Sequence, residues 1–261
     1  MYGIIRSPRS VLFGAGQRHA LPALVRQLVS QPKSARLRAL ICTDNRYRAD
    51  TLLTEIGKGL EAAGIDVKVF EDTIAELPRS CIEDAARVAD DFNADIVIGL
   101  GGGSCLDLAK LVALKATYGG TLSDYYGEFK VPGRVLPVVA VPTTAGTGSE
   151  VTPVAVLADP DRVMKVGISS PHLIPIAAIC DPELTLTCPP SLTAIAGADA
   201  LTHAIEAFTA LSRQPTPEIS LQHVFIGKNF ISDGFARLAI KALADNLERA
   251  VTNGSDIAAR A

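Results

Sequence analysis

The spacing of apolar positions predicts an alternation of strands and helices over the first two thirds of the chain. Leu37–Thr43 is a short apolar run. Leu52, Leu53, Ile56, Leu60 and Ala63 then recur at helical spacing until Gly64 stops them. Asp66–Phe70 reads as a second strand. Ser80 with Glu83 forms a capping box for a helix that buries Ile82, Ala85, Ala86, Ala89 and Phe92. Asp95–Leu100 is a third strand, and Leu136–Val141 a fourth. Strands separated by helices of this length predict a parallel sheet with helices on both faces, whose ligands bind beyond the carboxyl ends of the strands.

Three of those strand ends carry candidate chemistry. The apolar run Asp95–Leu100 stops at Gly101, Gly102 and Gly103, and Ser104 opens a helical segment with Leu108, Leu111 and Val112 on one side. Strand, glycine turn and helix N-terminus make an anion site, because bare backbone N–H groups and the positive helix end point at one spot. The same residues also read as a capping box, Ser104 with Asp107, around a tight turn. Leu40–Asp44 ends in a carboxylate, either for a ribose hydroxyl or to start the next turn. Behind Leu136–Val141 comes Pro142-Thr-Thr-Ala-Gly-Thr-Gly-Ser149, a loop of small donors that we read as a binding loop.

After Pro189 and Pro190 no strand pattern remains. Ser191 is expected to cap a long helix that contains no lysine or arginine as far as Ser212, and so is expected to be buried on most sides. Ile195, Ala198, Leu201, Ile205 and Phe208 form its apolar stripe. Asp199, His203 and Glu206 form a second line at i, i+4 and i+7. Asp199 and His203 can reach one point beside the helix, as two ligands of Fe²⁺ or Zn²⁺ or as a simple hydrogen-bonded pair. Residues 213–231 read as an irregular insertion, and an amphipathic helix from about Ser232 to Val251 follows.

Composition adds boundaries. With 48% hydrophobic and 20% charged residues the chain has material for a sizeable core, and a net charge of −3 without charge blocks argues against nucleic acid or an anionic membrane as partner. No apolar run is long enough to span a bilayer, and the N-terminus lacks a signal-peptide core. Five cysteines without a Cys-x-x-Cys pair read as reduced thiols of a cytoplasmic protein. Cys105, in the first turn after the glycines, is a candidate for a thiol acidified by the helix dipole, or else a small residue chosen for fit.

Taken together, these segments resemble the iron-containing (group III) alcohol dehydrogenase family. Gly101–Lys110 is similar to its GGGSxxDxxK segment, Val141–Thr152 to its signature loop, and Gly197–Glu206 to the start of its metal site. The resemblance implies a dehydroquinate synthase-like architecture. A Rossmann-like, parallel-sheet dinucleotide-binding domain would occupy residues 1–184, and an incomplete all-α metal domain residues 185–261. It implies that Gly101, Gly102, Gly103 and Ser104 hold a dinucleotide pyrophosphate, with Asp107 bracing the turn. Asp44 would hold the adenosine ribose and favour NAD over NADP. Thr143, Thr144, Thr147 and Lys165 would line the cofactor. Asp199 and His203 would be two of four ligands of Fe²⁺ or Zn²⁺, and would act catalytically through the metal.

The implied reaction is hydride transfer between a small alcohol and its aldehyde or ketone, in a homo-oligomer (a dimer) of the full-length enzyme. A polyol dehydrogenase, a maleylacetate reductase, a dehydroquinate-synthase-like lyase and a non-catalytic nucleotide-binding module are the alternatives. Family members continue well beyond the point corresponding to Ala261, and their other two ligands are histidines in that stretch. The chain is therefore expected to be an N-terminal portion that binds cofactor without turnover.

Overall fold

The computed structural model describes residues 3–47, 51–214 and 216–261, so Pro215 of the expected insertion lies outside the described residues. In chain order the elements are β1 (Ser10–Phe13), α1 (Leu21–Leu28), β2 (Arg38–Cys42), α2 (Thr51–Ala62), β3 (Asp66–Phe70), α3 (Arg79–Phe92), β4 (Ile96–Gly101) and α4 (Gly103–Tyr118). Then follow β5 (Gly127–Glu128), β6 (Val138–Pro142), β7 (Val154–Leu157), β8 (Val166–Ser169) and β9 (Ala177–Cys180). The helices α5 (Pro190–Thr209), α6 (Ile219–Gln222), α7 (Phe230–Thr252) and α8 (Ile257–Arg260) complete the chain.

Six strands form a parallel sheet in the order β1-β9-β6-β4-β2-β3, and β5-β8-β7 form a small mixed sheet beside it. Side chains alternate across the main sheet as a period of two requires. Ala39, Ile41, Ile96, Ile98, Val139 and Val141 face a core with Leu21 and Val25 of α1 and Ile56 and Leu60 of α2. Leu40, Cys42, Val97 and Val138 face the opposite core, with α3, α4 and the small sheet's Ala155, Leu157 and Ile168. Strands buried on both faces are what a parallel sheet needs.

All four expected strands are present, and β3 keeps its expected bounds. The edge strand β1 and the internal strand β9, four residues each, are too short for periodicity to reveal. Three expected caps are absent. Helix α3 starts after Pro78 and α5 after Pro189, both extended and without a side-chain cap, so Ser80 and Ser191 cap nothing. In α5, Pro190 suits the first helical position, where its fixed φ is already helical and its missing donor would have had no partner within the helix. Glu83, released from its expected box, pairs with Lys115 at 3.1 Å. The third is the Ser104–Asp107 box, taken up below.

Helix α5 also departs from expectation. Only Gly197 and Ala204 are buried, while Ile195, Ile205 and Phe208 of its stripe are exposed. It packs on α7, where Leu247 lies against Gly197 so closely that a Cβ there would stand 2.2 Å from Leu247 Cδ1. One neighbouring helix cannot cover a helix that is apolar nearly all round. The expected insertion contains the short helix α6 and is tied down by Arg6, which donates to the carbonyls of Ser220 and Val224, each at 2.8 Å.

Candidate functional site

In the main sheet β3 lies outward of β2 on one side, and β4 and β6 follow on the other. The chain order reverses between β2 and β4, which is where open α/β sheets leave a crevice for ligands. Cys42 pairs with Gly99 across this point and Gly101 with Pro142. Asp44, the glycine turn and the threonine loop therefore leave the sheet side by side.

The glycines are required by what surrounds them. Gly101 has φ +146°, and a Cβ on it would stand 2.6 Å from Cys105 Sγ. Gly102 is the N-cap of α4 with no side-chain cap, and its carbonyl accepts from the N–H groups of Cys105 and Leu106. No acidic residue stands in the first turn. The first N–H groups of a sixteen-residue helix thus face the crevice with no carboxylate or hydroxyl of the described residues placed on them. The Ser104–Asp107 capping box is absent because Asp107 is engaged elsewhere. Its Oδ1 accepts from Ser149 Oγ at 2.5 Å and its Oδ2 from the Val156 N–H at 2.9 Å.

The threonine loop lies directly over this turn. Thr143 N–H donates to the Gly101 carbonyl at 3.0 Å. A Cβ on Gly102 would touch Thr144 Oγ1 at 3.4 Å, and one on Gly103 would stand 2.7 Å from Thr147 Cγ2. Gly146 abuts helix α5, where a Cβ would meet the Ala196 carbonyl oxygen at 2.9 Å. Among the described residues, the hydroxyls of Thr43 and Thr143 are buried without a hydrogen-bond partner. Each is the first residue past its strand. A buried orphan donor is costly, so two of them at one end of the sheet mark a place built for a further polar group.

Lys110 fastens the loop to the helix. It is fully buried, and its Nζ donates to Ser149 Oγ (2.9 Å), the Thr152 carbonyl (3.1 Å), Thr152 Oγ1 (3.2 Å) and the Val154 carbonyl (2.7 Å). Asp107 Oδ1 stands 3.5 Å away. Burial pulls the Lys110 ammonium below its ordinary pKa and Asp107 offsets that pull. The glycine turn and the threonine loop are therefore one rigid unit. Sequence reasoning gave Lys110 no role, although a lone cation inside the apolar run Leu106–Leu114 was a usable signal. The bare sequence holds no signal for an orphaned hydroxyl such as that of Thr43.

Asp44 stands at the crevice with its carboxylate partly exposed and forms an ion pair with Arg46. Its Oδ2 is 3.8 Å from Cys105 Sγ, which donates to it. Of the two readings of Cys105, the structure favours the small residue chosen for fit over the acidified thiol: burial, then the Asp44 carboxylate, push it up to about 12. The helix dipole is outweighed by a desolvated site next to a negative charge. The five cysteines are free thiols.

The remaining candidates sit apart from the turn. Lys165 precedes β8 and pairs with Glu76, on the segment after β3; no contact described for it joins the glycines or threonines. Asp199 and His203 share one face of α5, with His203 Nε2 3.7 Å from Asp199 Oδ1 and both side chains about half exposed. Among the described residues no cluster of three or more His, Cys, Asp or Glu could hold a metal ion. A carboxylate and an imidazole suit Fe²⁺ or Zn²⁺, but two ligands do not close a site. The dinucleotide fits this chain's own residues, whereas the metal fits them only in part.

Comparison with known proteins bears on the whole arrangement. A family model described as iron-containing alcohol dehydrogenase matches residues 8–182. The NAD-dependent methanol dehydrogenase of Bacillus methanolicus is 38% identical over 223 residues, covering 85% of this chain and 55% of the relative. A crystal structure of a 1,3-propanediol oxidoreductase superposes with a TM-score of 0.88 at 32% identity, covering 100% of this chain and 63% of that one. The sulfoacetaldehyde reductase of Bifidobacterium kashiwanohense, solved in complex with NAD+, gives 0.85 at 28% identity, covering 100% and 63%. The chain spans about half the length of the curated relatives it matches.

Proposed function

Because the chain belongs to the iron-containing alcohol dehydrogenase family, we propose that it is the nucleotide-binding part of an NAD-dependent enzyme that interconverts a small alcohol and its aldehyde or ketone. The observation that carries this reading is the uncapped N-terminus of α4 at the sheet's switch point, with Asp44 on one side and the threonine loop on the other. Nicotinamide supplies the hydride acceptor when bound. Backbone N–H groups of Gly102, Gly103 and Ser104 hold the pyrophosphate, where the missing Cβ atoms allow close approach. Asp44 accepts from the adenosine ribose hydroxyls. Thr143, Thr144 and Thr147 supply hydroxyls along the other wall, and Lys165 reaches the cofactor only by leaving Glu76. Asp107 and Lys110 touch no cofactor and keep the two walls in register.

Asp199 and His203 supply two ligands for Fe²⁺ or Zn²⁺ beside the same crevice, a placement supported by the seat of Gly146 on Ala196. We assign residues 1–184 to the nucleotide domain and 185–261 to the helical part. A cytoplasmic setting is supported by the free thiols. Among the described residues no helix is long and apolar enough to cross a membrane. Pairing into a homodimer is supported by the exposed Val11 and Phe13 of the edge strand β1. A second reading, a nucleotide-binding module without turnover, is favoured for these 261 residues by the two-ligand metal set. Assays of NADH formation with a panel of small alcohols and added Fe²⁺ or Zn²⁺ test it. Cofactor binding without turnover is expected, and metal-dependent NADH formation by this chain alone would overturn it.

A further inference from the structure

A dinucleotide lying across the crevice has a fixed direction. Its pyrophosphate sits at the N-terminus of α4, behind β4, and its adenosine lies toward Asp44 at the end of β2. The nicotinamide half therefore extends over the ends of β6 and β9, the next two strands of the sheet. The single turn Ser149–Val151 stands there, entered through Gly148 at φ +63° and packed against α4, β6 and β9.

Glu150 is the middle residue of that turn. Ser149 beside it is fixed, its hydroxyl held between Asp107 and Lys110. The Glu150 carboxylate is not. Apart from its own backbone N–H, it has no hydrogen-bond or ion-pair partner among the described residues, although it is partly buried. Burial pushes its carboxyl above the ordinary value, against the pull of its own N–H and of the Lys110 ammonium. Its charge is felt in turn by Cys180, the last residue of β9, whose thiol is pushed up to about 11 by burial and then by Glu150. The carboxylate thus lies between α4 and the end of β9, on the nicotinamide side of the crevice.

The need of Lys110 for a counter-charge does not explain this placement. Asp107 already stands 3.5 Å from its Nζ, and Ser149, Thr152 and Val154 supply it with oxygens. A partly desolvated carboxylate without a donor is costly, and a ligand that brings N–H groups lowers that cost. The Thr143 hydroxyl, buried and without a partner just past β6, is a second such group at the same end of the sheet.

We infer that Glu150 anchors the carboxamide of the nicotinamide: its carboxylate accepts from the amide N–H and so sets the orientation of the ring above the ends of β6 and β9. Glu150 is then a positioning residue for hydride transfer. The inference rests on the crevice being a dinucleotide site.

Dissociation constants for NAD, 3-acetylpyridine adenine dinucleotide and ADP-ribose test this on the unaltered chain, Glu150→Ala and Glu150→Gln, with thermal melts to confirm folding. Glu150→Ala is expected to weaken NAD about tenfold, the scale of one hydrogen bond to a charged group. ADP-ribose, which lacks the nicotinamide, should bind every variant alike. The acetylpyridine analogue carries a methyl group where the amide nitrogen stands and should lose less than NAD. Glu150→Gln keeps the shape and one accepting oxygen, and should lose less than Glu150→Ala. An NAD affinity unmoved by Glu150→Ala would overturn the proposal while leaving the dinucleotide site intact. So would equal losses for NAD and ADP-ribose, since Glu150 would then only shape the loop. Equal losses for NAD and the analogue would overturn it too, because the amide would then play no part. An unaltered chain that binds neither NAD nor ADP-ribose overturns the cofactor reading and this inference with it.

Discussion

Helices α4 and α5 are similar in composition and opposite in burial. Each is long, rich in alanine and leucine or isoleucine, and carries few charges. In α4 nine residues are buried, Lys110 among them, because the sheet lies beneath one side and α3 and the small sheet cover the other. In α5 two are buried, and α7 is its main neighbour. Apolar composition permits burial, but the surface an element is laid upon decides it. The polar groups follow suit. Lys110 and Asp107 on α4 are held by named partners at fixed distances, whereas Asp199 and His203 on α5 stand half in solvent and, among the described residues, face each other at 3.7 Å.

The sharpest way to break this contrast is to remove one charge from each helix. Lys110→Met takes the cation from several acceptors and from Asp107, and should cost about 3 kcal/mol or more in denaturant unfolding. His203→Ala should stay within about 0.5 kcal/mol, as exposed positions do. Comparable losses from both would mean that α5 is as integrated as α4.

A smaller effect is expected from Gly103→Ala. The new Cβ would meet Thr147 Cγ2 at 2.7 Å, forcing the loop off the turn. Overpacking of this kind costs about 1–3 kcal/mol. NAD affinity should fall alongside, because the same methyl group enters the phosphate's approach. Unchanged affinity would separate the loop from the ligand.

Smaller still is a pH effect within the α4 half. Because the Cys105 thiol is pushed up to about 12 when folded, the folded chain holds a proton that the unfolded chain loses near pH 9. Its contribution is complete below that pH and is lost as pH climbs toward 12. Alkylation at pH 8 should therefore leave Cys105 unlabelled until denaturant is added. Ready labelling of the folded chain would contradict the buried, carboxylate-facing position.

Much of the α/β half is legible from the sequence because short apolar runs and glycine stops are local signals. The bounds of β3, the glycine turn and the threonine loop all come from such signals. What was not legible depends on partners distant along the chain. Asp107 looks like a cap until Ser149 and the Val156 N–H claim it, and the two readings of Cys105 stay open until its burial and the neighbouring Asp44 are seen. The exposure of α5 belongs to the same class, since no stretch of Ser191–Ser212 reports what lies against it.

The central claim is that the crevice at the β2–β4 switch point is a complete dinucleotide site within these residues. Titration calorimetry of the 261-residue chain with NAD tests it most directly. The account predicts one NAD bound per chain without added metal, with binding lost in Gly103→Val, whose larger side chain blocks the turn. No heat of binding in the folded chain, or binding that Gly103→Val leaves unchanged, would contradict it.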